Sequence, residues 1–395
     1  AEDGIRDHCV TGVQTCALPI YANVINFNNP ASYAYDSLTI MEIGANAEAV
    51  FSKQNDVSAT NLNADLNALA MAFPIVKNRV GMSFGIIPFS SAGYNITSST
   101  SFAVINPKDT NNFSDINYIY KGTGGYTKYY LGAGFNISKE ISFGLNASYL
   151  YGNVINQRKE EFSNSIYFNT NYQDELYLSD FYFDFGLNWK HAIKGDKSIS
   201  IGIVGAPSQK VAGEKNLIWL NYKKGATGFD IIKDTILISL ANKGEVKMPS
   251  NYGIGICYSK INKWQLGADV SLQNWSDYEA FGKNDNLKNS LSSAIGGTYI
   301  PTNSLTESFF KRCEYRMGAY YNQSYLNLKS SDINDFGLCM GIGLPLKRSF
   351  QSKFNCGLQI GQRGTLKDNL VRENYIRFSI GLSFNEVWFQ KKKFD

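Results

Sequence analysis

From residue 250 to 276, apolar residues alternate strictly with small or polar ones. Tyr252, Ile254, Ile256 and Tyr258 alternate with Gly253, Gly255, Cys257 and Ser259. After a short connection at residues 260–263, Trp264, Leu266, Ala268, Val270 and Leu272 alternate with Gln265, Gly267, Asp269, Ser271 and Gln273. A period of two predicts strands with one apolar face each. The opposite face is mostly Gly, Ser and Gln, too small and polar to build a soluble core. That is the pattern of a transmembrane β-barrel, with lipid outside and a roomy interior.

The pattern recurs along the chain and predicts an all-β fold, an antiparallel up-and-down barrel of about fourteen strands. They fall at 38–51, 64–76, 79–90, 127–137, 141–151, 178–193, 197–207, 250–260, 263–276, 287–300, 311–326, 333–346, 352–363 and 374–385. Most are long enough for a tilted strand of ~9–11 residues to cross a bilayer. The connections at 138–140, 194–196 and 261–262 are short, and the segments 91–126, 152–177 and 208–249 read as long loops. Short turns belong to the periplasmic side and long loops to the exterior. In 131–149, parity turns Leu131, Ala133, Phe135, Ile137, Ile141, Phe143, Leu145, Ala147 and Tyr149 outward. Gly132, Gly134, Asn136, Ser142, Gly144, Asn146 and Ser148 turn inward. Asp184, Lys190, Asp269, Glu314 and Arg316 also fall on the inward face, where charge is allowed. Trp189, Trp264 and Trp388 lie near periplasmic strand ends, where an aromatic belt belongs. By the same parity, arginine at position 145 should impair folding into the membrane, while arginine at position 146 should be tolerated.

Composition agrees. Charged residues make up 18% of the chain, below the ~25% usual for soluble proteins, while Tyr and Phe supply 25 each. No run of ~18 apolar residues exists, so no transmembrane helix is expected. Residues 1–20 back-translate into the index primer of a short-read sequencing library and are read as adapter sequence, not as a targeting segment. Without them the net charge is +6, spread along the chain with no basic stripe for nucleic acid. Cys257 and Cys339 then fall inward, Cys313 and Cys356 outward, and none forms a CxxC pair; they read as small apolar filler. His191, the one histidine outside the adapter, follows Trp189-Lys190 at a strand end with no serine motif pointing at it. There is no Walker loop, HExxH or Cys/His cluster, so neither enzyme activity nor a cofactor or metal is expected.

Several motifs carry a resemblance. Pro249, the Gly253/Gly255 alternation, Trp264, Asp269 and the pair Trp275-Ser276 resemble the signature strands of the FadL-type family of long-chain fatty-acid and hydrophobic-compound transporters. Asn29-Pro30-Ala31-Ser32 is similar to that family's NPA motif, where an N-terminal hatch meets the first strand. Gly122-Thr123-Gly124-Gly125 and Gly341-Ile342-Gly343-Leu344-Pro345 are similar to further family segments, so the resemblance spans residues 21–395. It implies a fourteen-stranded barrel in the outer membrane of a Gram-negative bacterium, plugged by a hatch. Hydrophobic small molecules would leave such a barrel sideways, through a gap at a kink in the third strand.

Three divisions follow: residues 1–20, not native; 21–36, a hatch remnant; and 37–395, the barrel. The candidate kink is Gly85, Pro88 and Ser90, because proline cannot donate to a strand ladder and marks an edge or bulge. Leu217, Ile218, Trp219 and Leu220 are the candidate hydrophobic capture loop. No basic clamp for a ligand carboxylate is identifiable. The expected partners are a hydrophobic small-molecule ligand and outer-membrane lipid, with no nucleic acid, around a monomeric barrel. Two other readings stay open: a FadL-like barrel acting as an interaction or anchoring partner in protein secretion, and a general porin.

Overall fold

The computed structural model describes residues 24–54, 57–103, 113–164, 166–225, 229–302, 304, 306–328, 331–346, 352–386 and 388. The adapter segment 1–20 lies outside these residues. The chain folds into a closed antiparallel barrel of fourteen strands. They are β1 (Thr39–Gln54), β2 (Val57–Val76), β3 (Val80–Ala103), β4 (Phe113–Asn136), β5 (Ile141–Phe162) and β6 (Asn169–Ile193). Next come β7, in two halves (Lys197–Ala206 and Gln209–Lys224), and β8, also in two halves (Asp230–Met248 and Asn251–Lys260). The circuit ends with β9 (Trp264–Gln273), β10 (Ser290–Tyr299), β11 (Glu314–Leu328), β12 (Ser331–Pro345), β13 (Lys353–Gly364) and β14 (Arg372–Glu386). Pairing of β1 with β14, from Thr39↔Glu386 to Lys53↔Arg372, closes the wall.

The predicted facing is borne out residue by residue. Leu131, Phe135, Ile141, Phe143, Leu145 and Tyr149 are exposed on the outside, while Gly132, Gly134, Ser142, Gly144, Asn146 and Ser148 are buried inside. An apolar belt exposed around a whole barrel has only lipid as a favourable neighbour. The tight turns 77–79, 194–196 and 261–263 place Asn78, Asp196 and Asn262 at φ of 55°, 59° and 57°. Asn and Asp tolerate that left-handed geometry better than other side chains.

The three long loops need correction. Segments 91–126, 152–177 and 208–249 are largely strand, continuing the barrel wall upward as tall hairpins. Above the slip at Pro88/Ser90 the β3–β4 ladder runs on to Ala103↔Phe113, and the β5–β6 ladder runs to Glu160↔Thr170. Above the membrane both faces of a strand meet water, so the apolar-out signal that marks the lower parts vanishes while the backbone ladder persists. Leu217, Ile218, Trp219 and Leu220 therefore sit in the upper half of β7, not in a loop, paired with both β6 and β8. Trp275 and Ser276 also leave the predicted strand, since β9 ends at Gln273 and a 3-10 turn occupies Trp275–Asp277.

Candidate functional site in the barrel lumen

Residues 24–36 lie inside the barrel against the inner faces of β3 to β6. Asn29 caps a short 3-10 turn (Pro30–Tyr35), its side-chain oxygen accepting the Ala31 N–H at 3.1 Å. Proline suits the first position of such a turn because its missing N–H would be unpaired there anyway. The strands make room for it. A Cβ added at Gly134, Gly144 or Gly186 would collide with Pro30 or Asn29, and one at Gly81 with the Tyr33 carbonyl. Asn29, Ala31 and Tyr33 are consequently sealed from solvent. Small residues recurring inside successive strands thus form the seat of this segment, and they explain why the motif pairs Asn-Pro with small Ala and Ser.

Asn146 is the hinge of that seat. Its amide donates to the Phe27 carbonyl at 3.2 Å and to Asp184 Oδ1 at 2.6 Å, and its oxygen accepts the Tyr33 hydroxyl at 3.2 Å. The expectation that arginine fits here is overturned: the position faces inward as predicted, but the space is already occupied.

The lumen wall is two-faced. On β11 to β14 and β1 it is charged and internally paired. Glu314 meets Arg316 and Lys353; Arg377 bonds Glu48 and Gln359; Tyr375 donates to Asp335, which also pairs with Arg363. Such pairing offsets the cost of holding these charges away from water. On β3 to β8 an apolar patch lines the wall beside polar residues such as Asn146 and Asp184: Phe89, Leu150, Leu178, Tyr182, Ala206, Val211, Val246 and Met248 form one buried cluster. A second cluster, including Ile25, Tyr33, Ile40, Ala70 and Tyr130, joins the inner segment to β1 through β4, with Ile87 packed on it.

The two clusters meet on β3 beside a break in the wall. The β2–β3 ladder stops at Leu69↔Ile86, so among the described residues Val57–Ala68 and Ile87–Ala103 have no ladder with each other. On the other side of β3 the register against β4 slips between Pro88↔Thr127 and Ser90↔Tyr126. Phe89 is the bulged residue, and its side chain turns into the lumen at 8% exposure. β2 is bulged at the same height, where Asn67 lacks a partner in the β1 register and lies buried with neither amide atom hydrogen-bonded. Of the candidate kink residues, Gly85 lies just below the break, where a Cβ would strike Ala70; Pro88 and Ser90 flank the bulge.

Lys128 went unnoticed in the sequence. Its ammonium lies 4.7 Å from the Phe89 ring centre, 4.4 Å from that of Tyr182 and 3.7 Å from Asp184 Oδ2. A single lysine on an inward position carries no sequence signal; the pairing of Ile87 with Lys128 brings Phe89, the next inward residue of β3, beneath it. The signature residues have structural settings. Asp269 is buried inside, Trp264 packs edge-on to Tyr258, and Trp275 stacks on Tyr325 with ring centres 4.3 Å apart. Pro249 sits at the break between the halves of β8. His191 stacks on Trp189, and both donate toward Glu140 in the short turn before β5, holding that carboxyl below its usual range.

A Pseudomonas aeruginosa FadL homologue is similar in structure, with a TM-score of 0.61 and 12% identity, over 98% of this chain and 100% of that one. The Ralstonia pickettii toluene transporter TbuX has a TM-score of 0.58 and 13% identity, over 95% and 97%. The Pseudomonas putida toluene transporter TodX has a TM-score of 0.54 and 12% identity, over 95% and 96%. No curated protein is detectably similar in sequence. The family model described as BamG matches residues 8–395. With that match over nearly the whole chain, on a closed fourteen-stranded barrel, the protein belongs to the BamG family, a family of FadL-type outer-membrane barrels.

Proposed function

We propose that this barrel carries hydrophobic small molecules, long-chain fatty acids among them, across the outer membrane. Ligand moves along the apolar patch of the lumen and leaves sideways between β2 and β3, while residues 24–36 act as a hatch. The observation that carries this reading is the end of the β2–β3 ladder at Leu69↔Ile86, which lies beside buried Phe89. A gap at that height connects an apolar interior with lipid, so a greasy ligand never crosses a polar channel. The named neighbours, toluene transporters and a FadL homologue, are consistent with this chemistry. The inner segment 24–36, seated among β3 to β6, disfavours an open porin.

The test is uptake of a fluorescent long-chain probe by cells lacking their own transporter, using a full-length gene. Replacing Pro88 by Val and deleting Phe89 removes both the missing donor and the bulge, allowing β3 to pair continuously. Probe uptake is expected to fall about tenfold, the effect of ~1.4 kcal/mol on an opening equilibrium. Unchanged uptake through a folded variant with a continuous β3 sinks the lateral route.

Lys128 supplies a second test, of ligand chemistry. A cation held between two rings and one carboxylate is placed to take the anionic end of an amphiphile, a charge-assisted bond worth ~1.5–3 kcal/mol. Lys128→Met, made together with Asp184→Asn to leave no lone charge, should weaken binding of a fatty acid by roughly 10- to 100-fold. Binding of a neutral hydrocarbon should stay the same. Equal losses for both probes in a fluorescence-displacement titration would show that Lys128 only packs.

A further inference from the structure

The wall has a second discontinuity, between β6 and β7. Their ladder runs up to Phe185↔Gly205 and resumes only at Leu178↔Gly213. Among the described residues, 179–184 and 206–212 therefore form no ladder pair with each other. The β7 stretch is the longer by one residue, and facing flips across it, so that Ala206 and Val211 are both buried inside. An extra residue of this kind is a bulge, which bends its strand and leaves backbone groups without ladder partners. Two side chains stand in for the ladder. The Gln209 amide accepts the Phe183 N–H and donates to the Phe183 carbonyl, each at 2.8 Å, copying a peptide group. Asp180 Oδ2 accepts the Ala212 N–H at 2.8 Å. The other edge of the same stretch is tied in the same way. There the β7–β8 ladder skips from Ala206↔Asn251 to Gln209↔Met248, past Pro207 and Pro249, neither of which has an N–H to give. The Ser208 hydroxyl spans that interval, donating to the Met248 carbonyl at 2.9 Å.

The two sides of the break are both apolar. Inside, Leu178, Tyr182, Ala206, Val211, Val246 and Met248 belong to the buried cluster that also holds Phe89 at the β3 bulge. Outside, Phe181 stacks on Phe183 with ring centres 6.4 Å apart and meets the edge of the Tyr149 ring at 5.4 Å. The outward side chains also fix the height. Below the break they include Ile203 and Tyr252; above it stand Lys210 and Glu245, an exposed ion pair at 2.7 Å. Charge replaces apolar surface at this level, so the break lies at the outer rim of the membrane, where aromatic girdles belong. The ten residues of Lys197–Ala206 below it suffice for the crossing.

We infer that this break is an entry port, through which an apolar molecule dissolved in the outer part of the membrane passes between β6 and β7 onto the buried cluster. Rings outside and aliphatic side chains inside give a hydrocarbon body a continuous path, and the side chains of Gln209 and Asp180 are its latch. A side chain withdraws by changing rotamer, whereas a ladder bond breaks only when its strand moves. The inference deepens the transport reading by naming the way in, and it rests on that reading for the fate of the ligand, which leaves through the gap beside β3.

The test uses the full-length barrel, purified and reconstituted in phospholipid vesicles, with Tyr182→Trp as a reporter inside the port. The Tyr182 ring lies 4.4 Å from the Lys128 ammonium, a contact that an indole keeps. 1-Bromododecane added to the vesicles partitions into lipid and quenches the reporter on contact, and the parent chain supplies the background from its own tryptophans. Phe181→Cys and Lys210→Cys are added on the exposed face, opposite each other when the register of Leu178↔Gly213 is continued. A cleavable bis-maleimide then joins them across the break, with the parent treated alike as control. Quenching is expected to slow about tenfold on joining and to recover when the linker is cut, the effect of ~1.4 kcal/mol on the barrier to entry. Recovery, with compact migration on unheated gels, separates a closed port from a damaged barrel. In a chain without the added cysteines, Gln209→Ala should speed quenching about threefold by removing both bonds to Phe183. A rate unchanged by joining, an open barrel whose reporter is not quenched, or Gln209→Ala no faster than its parent would each overturn the port. Linker-sensitive quenching by a protein that gives cells no uptake of the long-chain probe would uphold the port and sink the transport reading instead.

Discussion

Arginine in place of Leu145 is expected to prevent most of the protein from reaching a folded, membrane-inserted state. Leu145 lies on the lipid face of β5, between Ala133 of β4 and Phe185 of β6, 45% exposed to the surroundings of the barrel. A guanidinium near the middle of the bilayer costs ~2–4 kcal/mol. Nothing on that face offers a partner, and the net stability of a fold is commonly only ~5–15 kcal/mol. The measurement is the fraction that migrates as compact barrel on unheated gels after refolding into vesicles, together with the urea midpoint. A yield and midpoint equal to those of the parent would mean that residues 131–149 have been assigned to the wrong faces.

The neighbouring change, Asn146→Arg, should give the opposite phenotype: a folded barrel that leaks. The new side chain points into the lumen, so insertion should proceed. It cannot, however, share the space with Phe27 and Tyr33, both of which Asn146 now holds by hydrogen bonds. Overpacking of a filled site costs ~1–3 kcal/mol, and the lost bonds add the desolvation of a buried hydroxyl and a carbonyl, ~1–3 kcal/mol. The segment 24–36 has its strongest seat here and should be displaced. Planar-bilayer conductance and sensitivity of cells to large hydrophilic antibiotics should both rise well above the parent. Gly144→Val, which drives a side chain into Pro30, should reproduce the leak by a different route. A folded Asn146→Arg barrel as impermeable as the parent would show that this segment does not block the lumen.

The pair also shows where sequence reasoning holds and where it stops. The identity and facing of the spanning strands are legible at once, because period-two alternation is a local signal imposed by two solvents, lipid on one face and lumen on the other. Leu145 and Asn146 differ in that signal and nothing more is needed to send them to opposite sides. The alternation fades in 91–126, 152–177 and 208–249, where both faces meet water, and there the sequence reads as loop. A ladder of backbone bonds does not depend on which face is greasy, so only the folded structure reveals it.

What the lumen contains was decided by tertiary structure. Asn29-Pro30 could be read as a turn, but its seat is assembled from Gly81, Gly134, Gly144 and Gly186 on four strands. Pro88 was legible as a defect in a ladder. That the neighbouring Phe89 meets Lys128, and that β2 lets go of β3 at this height, depends on register between strands that a single chain trace does not encode. The sequence thus determined a membrane barrel and the facing of its spanning strands, through local periodicity. The fold determined which inward residues meet, because those encounters join positions from Phe27 to Asp184 that are remote in the chain and adjacent only across the closed wall.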